Sequence, residues 1–294
     1  MRGKTKDIMG KVSFLRILFA LSFLFSAYTK FIAPGYFEIT LMDQGIASSR
    51  NLAGHLSRFF IGLEFALGAA LLLPFYTRKL LLFSQFLLLG FTVHLIYLWS
   101  IGNTENCGCF GEMISMTPEE SIFKNIALML LAFGVYIKSS VDKHNPRLLL
   151  CTLLIPSMWL FLPMPDHASM SFSEYTHFEK AGRVDLSQGE RLVAVFNLDC
   201  EHCQEAAKEL AALQRKNESL PSIYVLFFSE GSTRPKDFDA MTNSDFPYQM
   251  IEVNTFFDLI GDSPPRLYHL SNGTVVNIWD KAILEAVKER FELD

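Results

Sequence analysis

Asn197-Leu-Asp-Cys-Glu-His-Cys203 places a Cys-x-x-Cys pair directly after a short apolar run and directly before a segment of helical character. A β-strand that leads two cysteines onto a helix N-terminus is a redox arrangement, because free backbone N–H groups and the helix dipole favour the thiolate over the thiol. The stretch therefore predicts a thiol-disulfide centre, and the other cysteines matter in relation to it.

The chain as a whole is too apolar for an ordinary soluble protein. Its 294 residues are 50% hydrophobic with a mean hydropathy of +0.23, which predicts that part of it lies in lipid. The net charge of -5 is mild and no dense basic tract occurs, which argues against nucleic acid as a partner. Four of the cysteines form two close pairs, Cys107 with Cys109 and Cys200 with Cys203, a spacing that suits exchange better than a disulfide scaffold.

Five apolar segments predict a multi-pass membrane protein. The first follows a basic N-terminal stretch and has the roughly 20 residues that a bilayer requires. We expect it to be a retained anchor and not a cleaved signal peptide, because no clean cleavage site follows it. The predicted spans are Val12–Phe31, Leu56–Phe75, Leu80–Ile101, Ile122–Ile137 and Leu148–Leu162.

Basic residues predict the orientation, because Lys and Arg stay preferentially in the cytoplasm. The N-terminal segment, the Arg78-Lys79 turn and the loop from Lys138 to Arg147 fall on one side if the spans alternate. Both cysteine pairs then lie on the opposite face. We expect a bacterial inner-membrane protein with a cytoplasmic N-terminus and a periplasmic C-terminal domain, a compartment where dithiol relays operate.

Pro163 and Pro165 end the last apolar segment, after which the composition turns polar. We therefore divide the chain into a four-helix membrane domain (1–140), a fifth transmembrane helix with a linker (141–165) and a soluble domain (166–294). Alternating strand and helix with a terminal hairpin and helix predicts an α/β fold there. Strands are predicted at Leu192–Asn197, Ser222–Phe228, Tyr248–Val253, Arg266–Leu270 and Thr274–Ile278, and the main helices at Glu201–Lys216 and Lys281–Phe291.

The soluble domain resembles the thioredoxin-like fold in the order of its apolar strand, its Cys-x-x-Cys pair at a helix start and its proline before a hairpin strand. The resemblance implies that Cys200 is the exposed nucleophile, Cys203 the resolving thiol and Pro265 the cis-proline packed against the disulfide. A cis bond is plausible at proline alone, and Pro264 remains an alternative.

His202 resembles the histidine of disulfide-donating members of the superfamily, where it stabilises the thiolate. Asp199 and Glu201 act in the opposite sense by adding negative charge near the sulfur, so the direction of electron flow stays open. The domain departs from the thioredoxin pattern in two ways. It lacks the tryptophan before the first cysteine and the buried acid of the preceding strand, where Ala194 stands.

Two other interpretations of the Cys-x-x-Cys pair remain. It could be an inert disulfide, or part of a zinc or copper site completed by a distant histidine such as His269. A metal site is not expected, because no second cysteine pair occurs in the soluble domain.

The loop Asn106-Cys-Gly-Cys-Phe-Gly111 holds the second pair, Cys107 and Cys109. A Cys-x-Cys disulfide closes a small ring that is comparatively reducible, which suits electron transfer; a loop clip is the alternative. This stretch, with Tyr28-Thr-Lys-Phe-Ile-Ala-Pro34 and Ile61-Gly-Leu-Glu64, resembles the MauE-like membrane proteins of the DoxX superfamily over Val12 to Ser139. In methylamine-utilisation systems such a protein acts beside a separate thioredoxin-like partner, and the resemblance implies that the two are fused here.

Two ionisable residues inside the spans are candidates for function, since such groups are costly in lipid. Glu64 and His94 lie at similar depth, about 10 Å below the outer surface. They could line a quinone or proton site, or form an interhelical hydrogen bond. Lys30 and Arg58 are predicted to extend to the lipid headgroups, and Cys151 to be a buried apolar residue.

The sequence thus predicts a membrane-bound thiol-disulfide oxidoreductase. Electrons pass between the thiols of exported proteins, Cys200/Cys203, Cys107/Cys109 and a quinone, for oxidative maturation of those proteins. The predicted partners are exported proteins with cysteine thiols and membrane lipid. The rival is a non-enzymatic metallochaperone or assembly factor whose cysteines hold metal or a client.

Overall fold

A computed structural model describes residues 2–73, 77–104, 106–111, 113–139 and 148–293. The chain divides into two compact units, residues 1–164 and 165–294. The boundary lies one residue before the predicted start of the soluble domain at Asp166. Each unit is described by itself below.

The N-terminal unit is helical. Its helices in chain order are α1 (Arg2–Ile32), α2 (Pro34–Asp43), α3 (Arg50–Leu72), α4 (Thr77–Ser100), α5 (Pro118–Lys138), α6 (Leu148–Thr152) and α7 (Leu154–Phe161). In the described ranges four of them, α1, α3, α4 and α5, are long and apolar enough to cross a membrane. They correspond to the first four predicted spans, and the protein is a multi-pass membrane protein. The short helix α2, which begins with Pro34 at its first turn, was not predicted.

The fifth predicted span, Leu148–Leu162, is not one continuous helix. It is broken into α6 and α7, and its apolar helical stretch Leu149–Phe161 is shorter than the four spans. Pro156 explains the break, because its ring clashes with the carbonyl four residues earlier, at Thr152, where α6 ends. At about 1.5 Å per residue the stretch measures roughly 20 Å, against about 30 Å for a bilayer core.

The broken segment nevertheless runs along α3 in the opposite direction. A Cβ at Gly62 would meet the Cα of Ile155 at 2.7 Å, and one at Gly54 would meet Met164 at 3.0 Å. Ile155 therefore lies beside the middle of α3 and Met164 beside its first turns. The chain leaves the helical unit at the end where α3 begins.

The C-terminal unit is an α/β domain. Its elements are β1 (His177–Phe178), β2 (Gly182–Arg183), β3 (Glu190–Asn197), α8 (Glu201–Lys216), β4 (Ile223–Phe228), α9 (Pro235–Thr242), β5 (Tyr248–Met250), α10 (Val253–Leu259), β6 (Arg266–Ser271), β7 (Thr274–Trp279) and α11 (Ile283–Phe291). The predicted strands and helices are confirmed within a few residues at their ends. β1 and β2 form a small hairpin of their own.

The main sheet has the order β5-β4-β3-β6-β7. β3, β4 and β5 are parallel, while β6 and β7 are antiparallel to them and form the predicted hairpin. β3 lies at the centre with Leu192 to Phe196 fully buried, as expected for a strand covered on both faces. This is the predicted thioredoxin-like fold, and it places the C-terminal end of the central strand at the start of α8.

Candidate active site

Cys200 is the N-cap residue of α8. Its Sγ accepts a hydrogen bond from the backbone N–H of Cys203 at 3.4 Å. Helix N-termini carry unsatisfied N–H groups and the positive end of the dipole, so an anion is favoured here. Cys203 lies one turn later and is completely buried in the core cluster, whereas Cys200 is partly exposed.

The two thiols differ strongly in acidity. A hydrogen bond from the Cys203 thiol, backbone N–H groups of Cys203 and His202, and the charge of His202 together outweigh burial and lower the pKa of Cys200 to about 6. Burial, and then the hydrogen bond with Cys200, raises the pKa of Cys203. Cys200 is thus the more acidic thiol of the pair and Cys203 the less acidic one, as a nucleophile and its partner would require.

The peptide bond between Pro264 and Pro265 is cis, which identifies Pro265 as the cis-proline. β6 begins at the next residue, Arg266, which is paired with Val195 of β3. Pro265 therefore lies at the end of β3 that leads into Cys200. Asp199 directly precedes Cys200, but its carboxylate is bound by the loop after β4. It accepts hydrogen bonds from the backbone N–H of Gly231 at 2.8 Å and from Thr233 Oγ1 at 2.7 Å.

His269 does not join the cysteines. It is paired with Leu192, near the opposite end of β3 from Cys200, and its ring nitrogens contact Glu190 and Asn277 Nδ2. The ring is also stacked on Trp279. A zinc or copper site combining His269 with Cys200 and Cys203, one of the alternatives from sequence, is therefore not assembled.

The second cysteine pair lies in the loop between α4 and α5. Gln44 of α2 donates to the carbonyl of Cys107 at 3.0 Å, and the Cys107 Sγ lies 2.8 Å from Ser121 Oγ of α5. Gly111 adopts a φ of +57° and approaches the carbonyl of Thr29 so closely that a Cβ would lie 2.9 Å from it. Glycine is required there, since a side chain would be both strained and sterically blocked.

Lys30 ties this loop to α1 and α3. Its Nζ donates to Glu64 Oε2 at 3.0 Å, to Ser26 Oγ at 2.6 Å and to the carbonyl of Cys109 at 2.9 Å. The three stretches on which the family resemblance was based therefore meet at one point, although they are far apart in the chain. The ion pair is buried, with 4% of the Lys30 side chain exposed.

The two thiols of the loop pair also differ in acidity. The hydrogen bond from Cys107, and then the charges of Lys124 and Lys30, lower the pKa of Cys109 well below its usual value despite burial. The hydrogen bond with Cys109, and then burial, raises the pKa of Cys107. Both pairs thus combine one acidic and one weakly acidic thiol.

Glu64 and His94 line the same cavity as Cys107 and Cys109, which is otherwise largely apolar. Glu64 is also the ion-pair partner of Lys30. His94 Nε2 is buried without a hydrogen-bond partner among the described residues. The structure therefore brings both predicted residues to the loop pair, from α3 and α4. Glu64 forms the interhelical hydrogen bond of the alternative interpretation, with Lys30 of α1, whereas His94 Nε2 forms none with the described residues.

Three predictions about single residues were wrong. Lys30 and Arg58 do not extend to the headgroups: Arg58 is buried, bonds Glu38 and donates to the carbonyls of Leu162 at 2.7 Å and Pro163 at 3.0 Å. Both are retained inside because a carboxylate on a neighbouring helix offsets their desolvation. Cys151 is partly exposed and not buried.

Sequence inspection missed Glu38, Gln44, Ser121 and Lys124. Glu38 and Lys124 carried a usable signal, since each is a charged residue within or next to an apolar stretch. Gln44 and Ser121 carried none, because uncharged polar residues are common at helix ends.

Two dithiols, each with one cysteine more acidic than the other, in a chain with membrane spans are the features of a thiol-disulfide oxidoreductase-like membrane protein. The chain has both parts that such a protein needs. The thioredoxin-like domain supplies an acidic cysteine before a buried one, and the helical unit supplies the membrane spans with a second dithiol.

Three known proteins or families are similar to the chain. Residues 9–138 match the family model of methylamine utilisation protein MauE, which confirms the predicted resemblance for the N-terminal part. Protein TlpB from Flavobacterium psychrophilum is 29% identical over an alignment of 330 positions, gaps included, that covers 90% of this chain and 90% of that protein. The thioredoxin domain of thiol-disulfide oxidoreductase BVU-2223 from Bacteroides vulgatus is 14% identical, covers 44% of this chain and 98% of that one, and has a TM-score of 0.32.

Proposed function

We propose that this protein oxidises cysteine thiols of exported proteins in the bacterial periplasm and passes the electrons from Cys200/Cys203 to Cys107/Cys109 and then to a quinone. The observation that carries the proposal is that the chain holds two dithiols, each with one buried and one partly exposed cysteine: Cys200 caps α8 before the buried Cys203, and Cys109 follows the buried Cys107 beside an apolar cavity. A thiol with a lowered pKa is a better leaving group and is more readily ionised, so the lowered pKa of Cys200 and of Cys109 suits both pairs to exchange.

The reaction with a client begins with the Cys200–Cys203 disulfide. A client thiolate attacks Sγ of Cys200, and Cys203 leaves with the bond's electron pair and takes up a proton. A second client thiolate then breaks the mixed disulfide, releasing Cys200 as a thiolate. The client gains a disulfide and the Cys200/Cys203 pair gains two electrons.

A quinone is proposed as the next acceptor after the loop pair. The cavity beside Cys107 and Cys109 is apolar, and His94 Nε2, which lines it, has no hydrogen-bond partner among the described residues. Such a cavity suits a ligand that has an apolar ring and a hydrogen-bonding group at its edge. Reduction of a quinone to the quinol takes two electrons and two protons, which equals what a dithiol releases on forming a disulfide. Glu64 and His94 are the proposed groups for binding or proton transfer.

The test is the thiol state of exported proteins in cells that make the full-length chain. Cys200→Ser is expected to leave client thiols reduced, because the nucleophile is lost. Cys203→Ser is expected to accumulate mixed disulfides of Cys200 and likewise to leave client thiols reduced, because without Cys203 the Cys200–Cys203 disulfide that oxidises clients cannot form. Cys151→Ser, which changes a cysteine outside both pairs, is the control and is expected to behave as wild type.

The same cells test the acceptor. When quinone synthesis is blocked, Cys107 and Cys109 are expected to accumulate as thiols. A loop pair that stays oxidised regardless of quinone supply rules out the quinone step. If neither Cys200→Ser nor Cys203→Ser changes the thiol state of any exported protein, the proposed oxidation itself is wrong.

A further inference from the structure

Lys124 lies in the second turn of α5, beside the loop pair. Its Nζ lies over the ring of Phe110, 4.3 Å from the centroid, and the residue lines the same cavity as Cys109. Phe110 follows Cys109 directly, and its ring is packed against Phe25 with 5.3 Å between centroids. The aromatic ring thus holds an ammonium group next to Cys109.

The charges of the described residues around Cys109 do not cancel. The titratable groups that face it are Lys30 of α1, Glu64 of α3, His94 of α4, Lys124 of α5 and, from its own loop, Cys107. Lys30 and Glu64 neutralise each other, since both Glu64 oxygens lie within 3.1 Å of Lys30 Nζ. One positive charge, that of Lys124, is left over when His94 is neutral.

Lys124 has no carboxylate partner within the described part of the chain. Glu120, one turn earlier on α5, instead accepts from the backbone N–H of Thr117 at 2.9 Å in a capping box. An unpaired ammonium in a membrane span is costly and persists where an anion offsets it. Among the described residues the site therefore lacks one negative charge.

We infer that Lys124 is the counter-charge of a Cys109 thiolate, so that Cys109, and not Cys107, leaves as the anion when the loop disulfide is opened. The assignment rests on the proposed function in that the loop pair undergoes exchange. Cys107 is suited to the opposite role, because the hydrogen bond with Cys109 and burial favour its protonated thiol and outweigh the opposite effect of the hydrogen bond with Ser121 Oγ. The opposite pKa shifts of the two thiols agree with this division.

The division of roles gives a balanced exchange between the two pairs. The Cys200 thiolate attacks Sγ of Cys107, a Cys200–Cys107 bond forms, and Cys109 departs with the electron pair as a thiolate beside Lys124. Cys203 then attacks Sγ of Cys200, and its proton passes to Cys107. The products are the Cys200–Cys203 disulfide, a Cys107 thiol and a Cys109 thiolate, so two electrons have moved to the loop.

The experiment uses the full-length chain with Cys151, Cys200 and Cys203 changed to Ser, so that only the loop thiols react. The reduced protein is alkylated with iodoacetamide over a range of pH, and tandem mass spectrometry assigns the label to Cys107 or Cys109. Cys109 is expected to react first. Lys124→Met is expected to raise the pH midpoint for Cys109 by about 1 to 3 units, which below both midpoints slows alkylation by about tenfold per unit.

Lys124→Arg keeps the charge and is expected to stay close to wild type, whereas Lys124→Gln is expected to match Lys124→Met. The control is Lys138→Met, which removes a charge from the last turn of the same helix. The assignment is overturned if the midpoint of Cys109 is unchanged in both neutral variants and thermal unfolding shows that these variants are folded. It is also overturned if Cys107 is labelled faster than Cys109. Because Cys200 and Cys203 are absent, the result is independent of client oxidation, whose failure would refute the proposed function alone.

Discussion

Cys200 acquires its acidity from groups that follow it at the start of α8. The thiol of Cys203 and the backbone N–H groups of Cys203 and His202 hydrogen-bond its sulfur, and the imidazole of His202 adds a favourable charge. The hydrogen bond from the Cys203 thiol exists only when the pair is reduced. It therefore stabilises the reduced form of the pair and not the disulfide. Stabilising the reduced form in this way makes the disulfide a stronger oxidant.

We expect the pH midpoint of Cys200 alkylation to follow its pKa of about 6 in the wild type, and His202→Gln to raise that midpoint. The rise is expected to be a fraction of a pH unit, or about twofold to threefold slower alkylation below pH 6, because the hydrogen bonds from Cys203 and the backbone remain. The measurement is the rate of iodoacetamide labelling of Cys200 against pH.

His177→Gln, a change at an exposed histidine of β1, is the matched control and is expected to leave the midpoint unchanged. A midpoint that is the same or lower in His202→Gln would contradict a role for the imidazole. That outcome would give the acidic neighbours Asp199 and Glu201 the larger influence on Cys200.

At the scale of elements, α3 organises the helical unit. Its Glu64 pairs with Lys30 of α1, its Arg58 holds Glu38 of α2 and the carbonyls that follow α7, and its Gly62 lies against α7. Small residues allow helices in a membrane to approach closely, so that packing replaces the hydrophobic effect as the source of association. The broken fifth segment depends on that contact because it is short.

Gly62→Ala is therefore expected to lower the melting temperature of the detergent-solubilised protein. Its Cβ would lie 2.7 Å from the Cα of Ile155 and 3.0 Å from the carbonyl oxygen of Leu154, so backbone has to move. Overpacking of this kind typically costs about 1 to 3 kcal/mol.

Gly90→Ala in α4 is the control, because a Cβ there meets nothing within 4 Å. It is expected to leave the melting temperature unchanged or slightly raised, since alanine favours helix over glycine. Equal effects of the two substitutions would show that α7 does not depend on close contact with α3.

At the scale of the whole molecule, the path of the chain bears on the sidedness of the two cysteine pairs. The Cys107–Cys109 loop is hydrogen-bonded to residues at the C-terminal end of α1, and Met164 lies beside the first turns of α3. Because α1 and α3 are antiparallel neighbours, these are the same end of the helical unit. Met164, the last residue of the helical unit, therefore lies at the end of that unit that carries the Cys107–Cys109 loop.

We expect a membrane-impermeant maleimide to label reduced Cys200 in intact spheroplasts, as the positive-inside orientation requires. A single-cysteine chain with Ser139→Cys, at the end of α5 that is predicted to be cytoplasmic, is expected to be labelled only after permeabilisation. Labelling of Cys200 only in permeabilised cells would reverse the orientation and remove periplasmic proteins as clients.

Local features made most of the fold predictable. Long apolar runs indicated the four spans, and the alternation of apolar strand and amphipathic helix indicated the thioredoxin-like domain nearly to its boundaries. Pro156 indicated that the last apolar segment is broken, but the length of that segment, considered alone, suggested a continuous span. Lys30 and Arg58 were misassigned because burial depends on partners in other helices.

The sequence by itself determined where the membrane helices and strands lie, which cysteines form pairs and that a proline precedes β6, because these follow from composition, periodicity and short spacings. The tertiary structure alone decided that Pro265 is cis, that His269 lies away from the Cys-x-x-Cys pair and that Lys30, Glu64 and Cys109 meet. It also placed Lys124 beside Cys109. Such features depend on contacts between residues that are distant in the chain. Local sequence patterns do not report the free energies of those contacts and therefore could not predict them.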